Sequence, residues 1–147
     1  RVYESFIAGG REGFGIFTQI LPYLVAIFVA IGMFRVSGAL DFISELLAPL
    51  TLRIGMPPEV LPVALMRPLS GSGSLGLAAE VINAAPDSYN ARLASTIFGA
   101  TDTTFYVIAL YFGSVGVKKI RHAMVAGLMA DLAGILSALW ICRVVFT

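Results

Sequence analysis

Between Gly13 and Phe34 the chain runs for 22 residues without a charged side chain. At helical rise a stretch of that size covers about 30 Å, the thickness of a bilayer's hydrocarbon core. A second stretch, the 21 residues from His122 to Cys142, is interrupted only by Asp131. It follows Lys118, Lys119 and Arg121 and carries Trp140 near its far end, where amphipathic rings gather at the membrane boundary. Two continuous membrane spans are therefore expected. Composition agrees: charged types are 13% of the chain, against about 25% in an ordinary soluble domain, too few to cover a water-facing surface.

What lies between the spans is less regular. Pro22 removes a backbone donor inside the first span, so a kink near Gln19 is expected. From Ser37 to Ile54, Leu40, Ile43, Leu47, Leu50 and Ile54 recur at helical spacing opposite Asp41, Ser44, Glu45, Thr51 and Arg53. That pattern predicts an amphipathic helix in the headgroup layer, with Ser37 as its N-cap and Pro49 dividing it. Glu59 to Met66 and Leu75 to Ala85 are helix-like, but Arg67-Pro68-Leu69-Ser70-Gly71-Ser72-Gly73-Ser74 between them is a poor helix interior. A fourth region, Asp87 to Val117, has its own weak point at Phe98-Gly99-Ala100-Thr101-Asp102-Thr103-Thr104-Phe105. The expected fold is an all-α, polytopic membrane helical bundle in one domain over residues 1–147. It has two continuous spans, an amphipathic surface helix and two broken or re-entrant segments.

Unwound backbone at membrane depth survives only where protein or a wet cavity satisfies it. Paired Gly/Pro-interrupted hydrophobic segments are the best sequence pointer to a transporter-type site. Half-helix N-termini favour anions or carbonyl oxygens, and half-helix C-termini offer carbonyls to cations. Ser70, Ser72, Ser74, Thr101, Thr103 and Thr104 add hydroxyls suited to a small polar solute or ion. Arg67 and Asp102 stand one in each break; a charge inside the bilayer usually finds a partner, so the two are expected to pair, as part of the site or as a staple alone. Asp131 is expected either to carry a proton or, more commonly, to cap a nearby broken helix.

Other functions are disfavoured. A net charge of +1 offers no electrostatic footprint for nucleic acid. The single cysteine, Cys142, excludes an internal disulfide and reads as a small apolar residue at a helix end. His122 follows a basic run, and with no second histidine neither a metal site nor a Ser-His-acid set is indicated, so no enzyme and no cofactor are expected. Ser70 to Ser74 lacks the ending of a phosphate loop. Glu80 and Arg92 are expected to snorkel near the interface. Ala126, Ala130, Gly134 and Ala138 make a small-residue strip for close helix approach, by default onto a broken segment of the same chain. The basic loop at Lys118 predicts a cytoplasmic position. The start, with Arg1 in place of Met and charges at Glu4, Arg11 and Glu12, does not read as a signal peptide; a segment preceding it is expected.

Specific motifs point to a family. Arg1-Val-Tyr-Glu-Ser-Phe, Glu12-Gly-Phe-Gly, Pro22-Tyr-Leu-Val-Ala and Phe34-Arg-Val-Ser-Gly-Ala-Leu-Asp41 resemble the spore maturation protein B family. The likeness continues through Glu59-Val-Leu-Pro, Leu65-Met-Arg-Pro-Leu-Ser-Gly-Ser-Gly73, Ser95-Thr, Thr101-Asp-Thr-Thr-Phe-Tyr106 and Tyr111-Phe-Gly-Ser-Val-Gly116. The resemblance implies a nucleoside recognition, or gate, domain of the kind shared with concentrative nucleoside transporters and the ferrous iron transport protein B. It also implies a bacterial inner-membrane setting, a spore maturation protein A-like membrane subunit or a second copy as partner, and in spore formers a part in dehydrating the spore core. The expected function is binding or passage of a small polar solute or ion with that partner. The rival is a non-transporting membrane scaffold. A polar cavity reaching Ser72 and Thr103 favours the first; a dry, fully bonded centre favours the second.

Overall fold

The computed structural model describes residues 2–146; Arg1, the first residue of the family resemblance, lies outside them. Every regular element among the described residues is helical. The first helix, α1 (Val2–Val36), contains the uncharged run and continues N-terminal to it. Its segments Val2–Gln19 and Leu24–Phe34 meet at 46°, as expected where Pro22 withholds a donor and its ring crowds the preceding turn. The next turn corrects an expected cap. Ser37 Oγ accepts from the Ala39 N–H at 3.3 Å and donates to the Phe34 carbonyl, but the N-cap of α2 (Ala39–Arg53) is Gly38. Its φ of +74° is left-handed backbone that glycine adopts at least cost.

Helix α2 also runs unbroken through Pro49. The proline lies on the exposed face, and the Thr51 hydroxyl donates to the Leu47 and Ala48 carbonyls behind it, both at 3.1 Å. The expected amphipathic pattern is present but turned. Leu40 and Thr51 are buried, Ile43 and Leu47 half-buried, and Leu50 and Ile54 lie outside with Asp41 and Glu45.

The two broken segments behave differently. The first comprises α3 (Leu61–Met66) and α4 (Gly71–Ala84), the second α5 (Tyr89–Ala100) and α6 (Thr104–Ser114). Near the start of α3, Glu59 accepts a bond from Asn90 at the start of α5, at 3.3 Å. Beyond its end, Arg67 bonds the Phe98 and Thr101 carbonyls at the end of α5. Those contacts at both ends make α3 and α5 parallel. Gly71, opening α4, stands against Thr103, whereas Ala84 leads within a few residues into Tyr89, so α4 runs back along α5. The first segment is thus a hairpin whose turn lies beside the break of the second. The second continues onward, and Tyr89–Gly113 is long and apolar enough to cross a membrane.

The first break is shorter than the sequence implies. Gly71 to Ser74 belong to the first turn of α4, because Ser70 caps it: its hydroxyl accepts from the Gly73 N–H at 3.0 Å. Glycine and serine are cheap where amides lack intrahelical acceptors anyway.

The last helix, α7 (Ala123–Phe146), is the other candidate span. A core of Val60, Val63, Leu93, Ile97, Leu139 and Cys142 joins α3, α5 and α7. Cys142 is fully buried, its thiol 3.4 Å from the Thr96 hydroxyl. The small-residue face of α7 packs on the second break, though with a shifted strip: Gly127, Gly134 and Ala138 face inward and Ala126 and Ala130 stay exposed. A Cβ on Gly134 would stand 3.0 Å from the Ala100 carbonyl oxygen, backbone that cannot rotate aside. Gly134→Val is expected to cost about 1–3 kcal/mol by overpacking, read as a lower midpoint in detergent unfolding.

Candidate functional site

Four half-helix ends meet where the breaks adjoin, the C-terminal ends of α3 and α5 and the N-terminal ends of α4 and α6. Arg67 closes the first pair. It is 8% exposed. Its Nε–H donates to the Phe98 carbonyl at 3.1 Å, Nη2 to the Thr101 carbonyl and Nη1 to the Thr103 hydroxyl at 3.3 Å. The guanidinium also lies over the Phe98 ring, 4.4 Å from its centroid, which adds a cation–π attraction. A planar fork with fixed donors suits carbonyls at a helix C-terminus, where backbone acceptors are unpaired and partially negative.

The N-terminal end of α6 is held by acids. Asp131, 5% exposed, accepts the Thr104 hydroxyl proton at Oδ2 and the Asp102 N–H at Oδ1, at 3.4 Å. Asp102 accepts from the Thr103 N–H at 2.7 Å. The Phe105 N–H donates across to the Pro68 carbonyl at 3.0 Å, joining the breaks through backbone. Each charge thus sits at the helix end whose partial charge opposes it.

This geometry overturns the expected Arg67–Asp102 pair. Arg67 is spent on two carbonyls and a hydroxyl, and Asp102 is exposed and bonded to its own loop. The unwinding of α5 creates carbonyl and amide ends that attract the two charges more locally than they attract each other. Asp131 takes the capping position that its place in the last span suggested.

The sequence-derived residues divide into two groups. Ser74 bonds the Gly71 carbonyl, Thr101 the Ile97 carbonyl and Thr104 Asp131, so these hydroxyls serve helix ends. Ser70, Ser72 and Thr103 line a cavity of about 220 Å³ with Gly71, Phe28 and Tyr106, although the Ser70 hydroxyl also caps α4 and the Thr103 hydroxyl accepts from Arg67. The Ser70 and Ser72 hydroxyls lie 3.5 Å apart. Phe28 and Tyr106, with ring centroids 6.2 Å apart, form one wall. Sequence reasoning missed both rings and the Phe98 and Pro68 carbonyls. Tyr106, one turn into α6, could have been suspected from its spacing to Thr103; nothing local marks Phe28. No group of His, Cys, Asp and Glu suited to a metal ion occurs among the described residues.

Comparison with known proteins agrees with this architecture. The nucleoside recognition family, Gate, matches residues 17–118. Spore maturation protein B of Bacillus subtilis (strain 168) is 51% identical over 145 residues, 98% of this chain and 82% of that protein. Inner membrane protein YjiG of Escherichia coli (strain K12) is 36% identical over 84 residues, 56% of this chain and 55% of that protein. No solved structure matches. Hydrophobic helices broken at Arg67 and Thr101, near-complete coverage of one relative and the family match across both breaks lead to one assignment: the chain belongs to the spore maturation protein B family, as an all-helical bacterial inner-membrane protein of the nucleoside recognition (Gate) type.

Proposed function

We propose that the chain binds a small polar solute or ion between its two broken segments and, with a partner subunit, passes it across the membrane. The observation that carries this reading is the cavity reaching Ser72 and Thr103. The Ser72 hydroxyl, which meets only Ser70, has little use against lipid and suits a solute that has shed its water, beside the Ser70 and Thr103 hydroxyls that also serve α4 and Arg67. A spore maturation protein A-like membrane subunit or a second copy completes the pathway, because so few spans enclose little space alone. In a spore former, the process served is dehydration of the spore core.

The test is an uptake screen in proteoliposomes containing the partner subunit, comparing the intact chain with Ser72→Ala. Ser72 is exposed to the cavity and its hydroxyl touches only Ser70, at 3.5 Å, so its loss leaves the fold intact. Loss of one solute hydrogen bond worth about 1 kcal/mol corresponds to roughly fivefold weaker uptake at low solute concentration. Failure of any solute to move with the intact chain would favour a scaffold. One observation already supports that second reading: most polar groups of both breaks are bonded within the chain.

A further inference from the structure

At the end of α5 remote from the breaks, two opposite charges line one pocket and neither is paired. The pocket, about 330 Å³, lies where the turn between α4 and α5 meets the end of α7, with Asp87, Arg92, Ser95, Thr96 and Phe146 on its wall. Its size is at the lower end of the roughly 300–1,000 Å³ of small-molecule sites. Among the described residues, the Asp87 carboxylate and the Arg92 guanidinium form no ion pair or hydrogen bond with each other or with any other group. The guanidinium lies over the Phe146 ring, 4.7 Å from its centroid. That cation–π contact restrains the fork while its N–H donors keep no protein acceptor.

The hydroxyls of the pocket have the opposite polarity. Ser95 donates to the Ala91 carbonyl and Thr96 to the Arg92 carbonyl, both at 2.8 Å. With their protons used, the two oxygens can only accept, as Thr96 already does from the Cys142 thiol. The wall therefore offers a cationic fork to an anion, and a carboxylate with hydroxyl acceptors to a cation that carries N–H donors. A simple anion would meet Asp87 and a simple cation Arg92; a group with both charges meets neither penalty. Depth in the membrane points to the source. Arg92 lies in the first turn of the candidate span Tyr89–Gly113, and Phe146 ends the candidate span Ala123–Phe146. Their contact puts both span ends at one membrane boundary, the level of lipid headgroups.

We propose that this pocket holds a zwitterionic headgroup of the phosphoethanolamine type, supplied by a membrane lipid. Arg92 bonds the phosphate oxygens, and Asp87 with the Ser95 and Thr96 oxygens bonds the primary ammonium. The site is separate from the cavity between the breaks and does not depend on the transport reading.

The test is retention of radiolabelled lipid by the purified intact chain in detergent, equilibrated in turn with phosphatidylethanolamine, phosphatidylglycerol and phosphatidylcholine at equal concentration. All three carry the phosphate, but only the first adds an ammonium with N–H donors. Phosphatidylethanolamine is expected to be held about three- to fivefold more tightly than either, the effect of one solvent-accessible charge pair. Asp87 has a φ of +66°, left-handed backbone that asparagine tolerates as aspartate does, so Asp87→Asn removes the charge and keeps the turn. In that variant the preference for phosphatidylethanolamine is expected to vanish, whereas Arg92→Gln is expected to weaken all three lipids alike. Equal retention of the three by the intact chain, or an undiminished preference in Asp87→Asn, overturns the inference. Soluble phosphoethanolamine separates the sources. Displacement of the lipid at equal concentration would keep the chemistry and overturn the lipid source; failure to displace it supports both.

Discussion

Arg67→Met is expected to destabilise the folded protein by about 2–4 kcal/mol, an estimate built from opposing terms. Three hydrogen bonds from a charged donor are worth about 1.5–3 kcal/mol each. Against them stands the desolvation cost of the buried guanidinium, several kcal/mol, which methionine does not carry. Methionine preserves the apolar stem, so packing changes little. The balance tips toward loss because the Phe98 and Thr101 carbonyls stand at a break, where Arg67 and not a helical amide takes them. Arg67→Lys is the sharper variant. It keeps the charge and its desolvation cost but replaces the planar fork by a point donor, and is expected to be at least as damaging as Met. Unfolding by SDS titration from mixed micelles measures both; a lysine variant as stable as the parent would show that charge alone holds the break.

Asp131→Ala is expected to cost about 2–3 kcal/mol, from two charge-assisted bonds and the favourable placement of an acid at a helix N-terminus, less the relief of desolvation. Interhelical hydrogen bonds between membrane helices average only about 0.6 kcal/mol, and a neutral side-chain pair at this position would be worth no more. The larger figure follows because Asp131 receives a backbone amide at the start of α6 as well as the Thr104 hydroxyl. Asp131→Asn keeps one acceptor and the side-chain shape, and is expected to lose about half as much. Hydrogen exchange gives a local readout: amides of residues 102–105 should exchange faster in Asp131→Ala and remain near the parent level in Asp131→Asn. Unchanged exchange there in both variants would remove Asp131 from the cap.

A good part of this arrangement was legible in the residues, for identifiable reasons. The bend near Gln19 follows from the missing amide of Pro22, and the break at Thr101 from a run of threonines around an acid. The tie between Asp131 and a broken helix follows from the scarcity of other partners for a buried carboxylate. Where expectation failed, the missing information was spatial. Pro49 does not divide α2 because it lies outward, and Ser37 yields its cap to Gly38 because the turn requires left-handed backbone there. Arg67 and Asp102 were expected together because opposite charges in lipid attract, but each found a nearer helix end of opposite partial charge.

The amino-acid order by itself determined a membrane-embedded helical chain, its two weak points and the polar residues gathered there, since these depend on hydropathy, proline chemistry and local backbone preference. Tertiary structure alone decided that the first broken segment turns back while the second continues, and that Phe28 closes a cavity with residues far along the chain. It also decided which hydroxyls face that cavity and which are consumed in capping. Those outcomes depend on which helix ends come to lie side by side, a long-range property that no window of sequence contains.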